Sequence, residues 1–452
     1  MPEKHTIQPP RGTRDFYPED MAIRRHIEKV WREVSINHGF EEIEGPMFEH
    51  LDLYTVKSGE GIVSELFSFQ REGGDTRYAL RPEFTPTLAR MYAARAKQLP
   101  KPTKWFVIPN HFRAERPQRG RLREFIQWNI DIIGDDSPRA DAEIIACTVN
   151  ILKRLGLTSN DIQIQLNHRG WFESLLVSHG VTESQMPACF SLIDRYHKTS
   201  IDEFDRQAAA IGLAEDTTSA IKSYFVRADA QAPFVEDFRR QKATSDAHKS
   251  LQAVFDALEE ASVIEWCDLD YSIVRGLAYY TGTVFEVHER SGDERAIAGG
   301  GRYDNLIELF GGPPTPAVGI AMGDVVLRLV LEDHNLLDPA QEYMPRPDVF
   351  VIVGSEGAGR AAMEVISRLR RCTSVLRPNG YHVRHSYRAT RNIKKLLGEA
   401  DKSRATFALI FGDEYEEGLV TLKNLETGHQ GDPIRIHEIE KALDDALHAS
   451  RE

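Results

Sequence analysis

Between Glu124 and Ile133 polar and apolar residues alternate without a break. Ile126, Trp128, Ile130 and Ile132 fall on one face of an extended strand, and Phe125, Gln127, Asn129 and Asp131 on the other. The first face is apolar and predicts core packing. The second carries polar groups around one aromatic ring, which suits a pocket lining; an ordinary solvated sheet face is the plainer alternative. Helical spacing covers Met21 to His38, with Pro18, Glu19 and Asp20 marking its start and Gly39 its stop. Short β-prone runs follow to about residue 135. A long helix is predicted over Arg139–Leu155, ending near Gly156, and a strand over Ile162–Leu166.

From 171 to 262 the chain is rich in Ala, Asp, Glu, Lys and Arg, with apolar positions at helical spacing, so a helical insertion is predicted. Strand-like, glycine-rich sequence returns over 269–301, and an apolar helix is expected from Asp324 to about Leu336. Pro339, Pro345 and Pro347 mark a linker. Beyond it, strands at Val349–Val353, Tyr381–His385, Phe407–Phe411 and Leu419–Leu422 alternate with helices near 356–371 and 390–400, as in a small separate α/β domain. The expected divisions are 1–170 and 263–336 for a main α+β domain on an antiparallel sheet, 171–262 for the insertion, 337–347 for the linker and 348–452 for the last domain.

Composition narrows the class. A chain of 452 residues with 41% hydrophobic and 28% charged residues is an ordinary globular balance. No apolar run reaches membrane-spanning length, and the polar Met1–Pro10 segment predicts no secretory leader. The cysteines, Cys147, Cys189, Cys267 and Cys372, form no CxxC pair, so neither disulfides nor a structural metal are expected and a cytoplasmic setting fits. The net charge of -13 argues against indiscriminate nucleic-acid binding. Two basic islands stand out against it. Arg113, Arg116, Arg119, Arg121 and Arg123 are opposed locally only by Glu115, and Arg384 to Arg404 holds seven Lys/Arg against two acids. Each is a solvated face or a polyanion site.

The first island adjoins the alternating strand. Arg113 and Glu115 are read on one face of a second strand, joined to it by an arginine-rich connection containing Pro117 and Gly120. Gln127 and Asp131 lie roughly 13 Å apart along the strand, enough for a site as long as an amino acid joined to a nucleotide. Phe125 offers a stacking surface, and guanidinium groups suit phosphate.

The segment FRAERPQRGRLREF resembles motif 2 of class II aminoacyl-tRNA synthetases. RGTRDFYP, LRPEFTPTLAR, RGLAYYTGTVFEV, AGGGRYDNLI and the C-terminal FALIFGDEYEEGLVTLKNLETG are similar to histidyl-tRNA synthetases in particular. The resemblance implies a class II catalytic domain with a helical insertion and a C-terminal anticodon-binding domain. It implies activation of L-histidine by ATP with Mg2+, transfer to tRNA(His), and a homodimer built around 39–54. Carried over residue by residue, it places Arg113 and Arg275 at the reacting carboxylate and α-phosphate. Glu83, Thr85, Gln127, Asp131, Tyr279 and Tyr280 surround histidine, and Glu115, Arg121, Arg123 and Phe125 meet the nucleotide. Strand parity aims Arg275 and Tyr279 one way and Tyr280 the other, so either a bulge admits both tyrosines or one of them packs.

The chain departs from the pattern at motif 3. Asp324, Val325 and Val326 stand where Leu-Glu-Arg is usual, and Arg328 is rotated too far around the helix to replace that arginine. Asp131 stands where many bacterial members have glutamate. The departures keep two other readings open: a regulatory subunit of ATP phosphoribosyltransferase built on the same fold, and an RNA-binding sensor that no longer uses ATP.

Overall fold

Pro18 in the first turn, followed by Glu19 and Asp20, starts helix α1 (Pro18–Asn37), where a missing N–H costs nothing and acids meet the positive end of the helix dipole. The computed structural model describes residues 7–449, apart from 59, 194, 197, 198, 229–233, 272, 274–279, 293 and 339. The helix stops as expected, at Gly39 with φ +76°. Next come β1 (Glu41–Glu42), β2 (Phe48–His50), α2 (Asp52–Ser58), β3 (Ser68–Gln70), β4 (Arg77–Leu80) and α3 (Thr85–Arg95). The chain continues through β5 (Thr103–Val107), β6 (Asn110–Phe112), β7 (Glu124–Ile133), α4 (Pro138–Arg154) and β8 (Ile162–His168).

Six helices follow: α5 (Arg169–Ser178), α6 (Met186–Ile193), α7 (Ile201–Ala210), α8 (Glu215–Ala228), α9 (Phe234–Arg240) and α10 (Asp246–Glu260). The chain returns to strands with β9 (Cys267–Leu269), β10 (Thr283–Glu289), β11 (Ala298–Arg302) and, after α11 (Leu306–Leu309), β12 (Ala317–Gly323), then closes with α12 (Asp324–Asp333) and α13 (Ala340–Tyr343). Contacts divide the molecule into two units, Met1–Tyr343 and Met344–Glu452.

In the first unit the described residues form a nine-stranded sheet ordered β1-β5-β7-β12-β11-β10-β8-β9, with β6 extending β7. Its pairs are antiparallel except β1 with β5 and β8 with β9. The alternation of β7 sorts the two faces. Ile126, Trp128, Ile130 and Ile132 are buried in one core with Ile27, Val30 and Trp31 of α1 and Ile144, Ile145 and Val149 of α4. Each such side chain contributes about 1.5–3 kcal/mol. The six helices share that core, through Trp171, Phe238 and Phe255, so they bury their apolar stripes against the sheet domain. On the other face a separate core joins Trp105, Val107, Ile133 and Val284 of the sheet to Phe84, Leu88, Ala89 and Tyr92, and to Leu306 and Ile307 of α11.

Two local readings change. The strand ahead of the connection ends at Phe112, so Glu115 lies in the connection rather than on a strand. The reason is an outside partner: Gly12 carbonyl accepts the N–H groups of Arg123 (2.8 Å) and Glu124 (3.2 Å), while only Arg113 keeps a ladder bond, to Arg123 carbonyl at 2.9 Å. The segment Ala317–Gly323, for which the sequence predicted no element, is a central strand, β12.

The second unit carries β13 (Val349–Val353), α14 (Gly359–Arg371), β14 (Val383–His385), α15 (Ile393–Lys402), β15 (Phe407–Phe411), β16 (Leu419–Asn424), β17 (Ile434–Arg435) and α16 (Ile439–Ala449). The sheet order is β14-β13-β15-β16-β17, parallel at β14-β13-β15 and antiparallel after that. Val349 and Val351 face a core with α14 and α16, whereas Phe350 and Ile352 face one with α15. Burial on both faces explains why this strand is apolar throughout.

Candidate active site

Cross-strand register lines up a polar trough on the face opposite α1 and α4. Residues opposite each other in antiparallel strands share a face. Asp131 therefore lies level with Gly319, Gly301 and Val284, and Asn129 with Ala321, Gly299 and Glu286. Gln127 is level with Gly323. The middle of the sheet is thus floored by residues with almost no side chain, between Asp131 on one bank and Glu286 on the other. The small size is required. A Cβ at Gly319 would overlap Asp131 Oδ1, and one at Gly301 would lie 2.9 Å from the Tyr280 ring.

Asp131 is 5% exposed, and Tyr303 donates its hydroxyl to Asp131 Oδ1. Burial dominates its electrostatics. It pushes the carboxyl up to about 7, while the Tyr303 hydrogen bond pulls it back. Tyr303 is raised well above the usual phenol range by burial and by the neighbouring carboxylate. This carboxyl is poised to change charge near neutral pH, and a ligand N–H or cation would hold it ionised.

At the other end of the face, Phe125 meets His111 at 5.7 Å between ring centroids and lies under the Arg113 guanidinium at 5.1 Å. His111 is fully buried and held well below its ordinary value, first by burial and then by Arg113 and Arg81, so it is neutral at pH 7. Neither of its ring nitrogens has a hydrogen-bond partner among the described residues. Arg113 Nε donates to Pro82 carbonyl at 3.0 Å, and Phe112 N–H donates to Arg81 carbonyl at 2.9 Å. These bonds bring the 81–85 segment, with half-buried Glu83 and Thr85, beside Arg113 and the Phe125 end of the face. Phe84 between them enters the same core as Tyr280 and Tyr303.

Arg121 pairs with Glu115 in the connection. Arg123 Nε donates to Glu115 carbonyl at 3.1 Å and its Nη1 to Arg11 carbonyl at 3.3 Å, so its guanidinium ties the loop to the N-terminal segment. Tyr280 is buried against Gly301. Arg275 and Tyr279 lie outside the described residues. The geometry therefore assembles Asp131, Gln127, Tyr280 and Phe125 on one sheet face, and Arg113 with Glu83 and Thr85 at its Phe125 end.

The family model described as histidyl-tRNA synthetase matches residues 12–324, and that of an anticodon binding domain matches 348–445. The histidine--tRNA ligase of Opitutus terrae is 36% identical over 95% of this chain and 96% of its own. That of Halobacterium salinarum is 38% identical over 93% of this chain and 94% of its own. The crystal structure of apo S. aureus histidyl-tRNA synthetase superposes with a TM-score of 0.70 at 26% identity, covering 97% of this chain and all of the other. The chain belongs to the histidyl-tRNA synthetase family.

Within this histidyl-tRNA synthetase fold the departure at motif 3 has a structural consequence. Asp324 opens α12, accepts Ile126 N–H at 2.9 Å and binds Arg14 at 2.7 Å. It fastens the first residue of the helix to β7 and to the RGTRDF segment. Arg328 points elsewhere, to Glu332 at 2.8 Å and Asp20 at 3.4 Å.

Sequence reasoning missed several residues of the site. Tyr303 was visible only as part of GGGRYD; its parity with Gly301 places it on the pocket face. Its neighbour Arg302 turns to the opposite face and binds Asp141 of α4, Nη2 to Oδ2 at 2.5 Å. Nothing local to either residue announces a pairing across 161 positions. His111 is legible after the fact as the register partner of Phe125.

Proposed function

We propose that the protein activates L-histidine with ATP, carried as its magnesium complex, and transfers the histidyl group to the 3' end of tRNA(His). A carboxylate oxygen of histidine attacks the α-phosphorus. The bond from that phosphorus to the oxygen bridging toward the β-phosphate breaks, and pyrophosphate leaves with the electron pair. The 3'-terminal ribose hydroxyl then displaces AMP. Positioning and charge neutralisation supply most of such catalysis.

The observation that carries this reading is the buried Asp131 carboxyl, level with the glycine floor and on the same face as Gln127 and Phe125. A substrate imidazole N–H satisfies the buried Asp131, and Tyr279 and Tyr280 complete the reading of the ring; buried polar partners reject analogues that leave them unpaired. Glu83, Thr85 and Gln127 suit the substrate ammonium. Arg113, fixed by Pro82 carbonyl, and Arg275 neutralise the α-phosphate and the attacking carboxylate. Phe125 stacks on adenine, Glu115 accepts from its amino group, and Arg121 reaches the outer phosphates while Arg123 positions the loop.

Residues 1–170 and 263–336 make up the catalytic domain in this reading, 171–262 the insertion, 337–347 the linker, and 348–452 the anticodon-binding domain. In the last of these, Tyr387 is 90% exposed beside Arg384, Arg388 and Arg391, a combination that suits stacking and phosphate contact with single-stranded bases. We assign the protein to the cytoplasm; among the described residues no helix is long and apolar enough to cross a membrane. A homodimer accounts for the small sheet β2-β4-β3, where Phe48, Phe69 and Tyr78 form a contiguous aromatic face with Phe48 49% exposed.

The test is pyrophosphate exchange into ATP driven by single amino acids. Strong exchange with L-histidine alone is expected. Histidine binding without exchange would point to the regulatory reading, against which the C-terminal anticodon-binding match also weighs.

A further inference from the structure

The tip of the β10–β11 hairpin lies against the arginine-rich connection. Glu294, whose side chain is 3% exposed, binds Arg119 at 2.5 Å, and Asp333 joins the same guanidinium at 3.4 Å. One residue on, Arg295 lays its stem over Gly120. A Cβ there would sit 3.5 Å from Arg295 Cδ and 3.3 Å from Val326 Cγ2. Gly120 has φ +71°, which its missing side chain permits, and the Arg295 stem rests on it at van der Waals distance.

The electrostatics at this contact are lopsided. Arg295 makes no hydrogen bond or ion pair with any described residue. Arg295 is exposed at the surface; the neighbouring protein still desolvates it in part, and this, together with Arg121, lowers it from the ordinary arginine range, with only Glu115 acting against them. Glu115 is already paired to Arg121. Two guanidinium groups therefore share one carboxylate, and α12 presents the apolar Val326 to the same glycine. An uncompensated cation held near a second one is a site for an anion. A polyphosphate beside the Phe125 face is the anion the proposed reaction brings there.

We propose that Arg295 is a nucleotide-binding residue, reaching across Gly120 to the outer phosphates of ATP and supplying from the hairpin the positive charge that α12 lacks at Val326. This rests on the synthetase reading, and it adds a contact that no motif of the chain announces. The hairpin is latched to the connection through Glu294 and Arg119, so the guanidinium arrives with little entropy left to lose.

The test is calorimetry of Mg-ATP, AMP and pyrophosphate on the full chain, for the wild type, Arg295→Ala and Arg295→Lys, alongside histidine-driven exchange. Loss of a charge-assisted contact should weaken ATP and pyrophosphate about 10–100-fold in Arg295→Ala, with lysine recovering part of it. AMP and histidine affinities should stay within about twofold, and the KM for ATP should rise without a matching change for histidine. Unchanged ATP affinity, or an equal loss for AMP and ATP, overturns the proposal. If wild-type protein shows no exchange yet ATP binding still drops in Arg295→Ala, the contact stands and the synthetase reading fails. If wild-type protein binds no ATP at all, both fail.

Discussion

Arg302 and Tyr303 are adjacent in the chain and answer two buried aspartates on opposite faces of one sheet. Toward α4, Asp141 receives a guanidinium, with Nε at 3.2 Å and Nη2 at 2.5 Å, and Arg302 donates further to the carbonyls of Asp135 and Ser137. Toward the trough, Asp131 receives a neutral hydroxyl. The first carboxylate has its counter-ion built in and has no use for a ligand. Burial raises both carboxyls, but the second is met by a hydroxyl rather than a cation and is left incompletely compensated, beside glycines whose missing Cβ makes room for its own Oδ1 and for the Tyr280 ring. A permanent partner marks structure, and a provisional one marks a site.

This contrast can be broken most forcefully at the paired end. Arg302→Ala strands Asp141 as an unpaired buried charge and should cost about 3–5 kcal/mol of unfolding free energy. Denaturant titration checks this, and a loss below about 1 kcal/mol would erase the distinction between the two faces. Asp131→Asn should do the reverse. Histidine affinity by calorimetry should fall about 100-fold, because a buried N–H loses a charged acceptor. The fold should hold, as circular dichroism would show.

The pH dependence sharpens the comparison further. The folded Asp131 carboxyl sits near 7, above its ordinary range, so the folded state binds a proton that the unfolded chain releases. Its contribution to stability is complete below the ordinary aspartate range and is lost as pH rises through about 7. Ligand-free wild-type protein should thus lose stability relative to Asp131→Asn between about pH 4 and 7, at up to about 1.4 kcal/mol per pH unit, and level off above that. Parallel stability curves for the two proteins would contradict the assignment. The smallest effect is expected for Tyr303→Phe, about 0.5–1.5 kcal/mol in histidine affinity, with the Asp131 titration moving upward as it loses a hydrogen bond. NMR of the Asp131 carboxyl reads that shift directly.

Much of this was legible along the chain. The alternation from Phe125 to Asp131 needs only the strand period, and it separated the residues that pack against α1 and α4 from those on the opposite face before any contact was known. Gly39 and Gly156 ended their helices where expected, with φ of +76° and +93°. Strand β12 was hidden because Gly319, Ala321 and Gly323 carry little β-propensity; pairing to β7 and β11 on both sides makes it a strand regardless. The C-terminal helix α16 was overlooked although Ile439, Leu443 and Leu447 recur at helical spacing and are all buried.

The sequence by itself determined which residues could face a site, because side-chain direction follows from backbone period and needs no partner. It also determined the family, since the motifs are contiguous strings. Only the tertiary structure decided which carboxylate was already neutralised, that Arg113 leans on Pro82, and that Arg295 reaches Gly120. Those depend on approaches between segments far apart in the chain, where charge and desolvation act through space and leave no local periodicity to read.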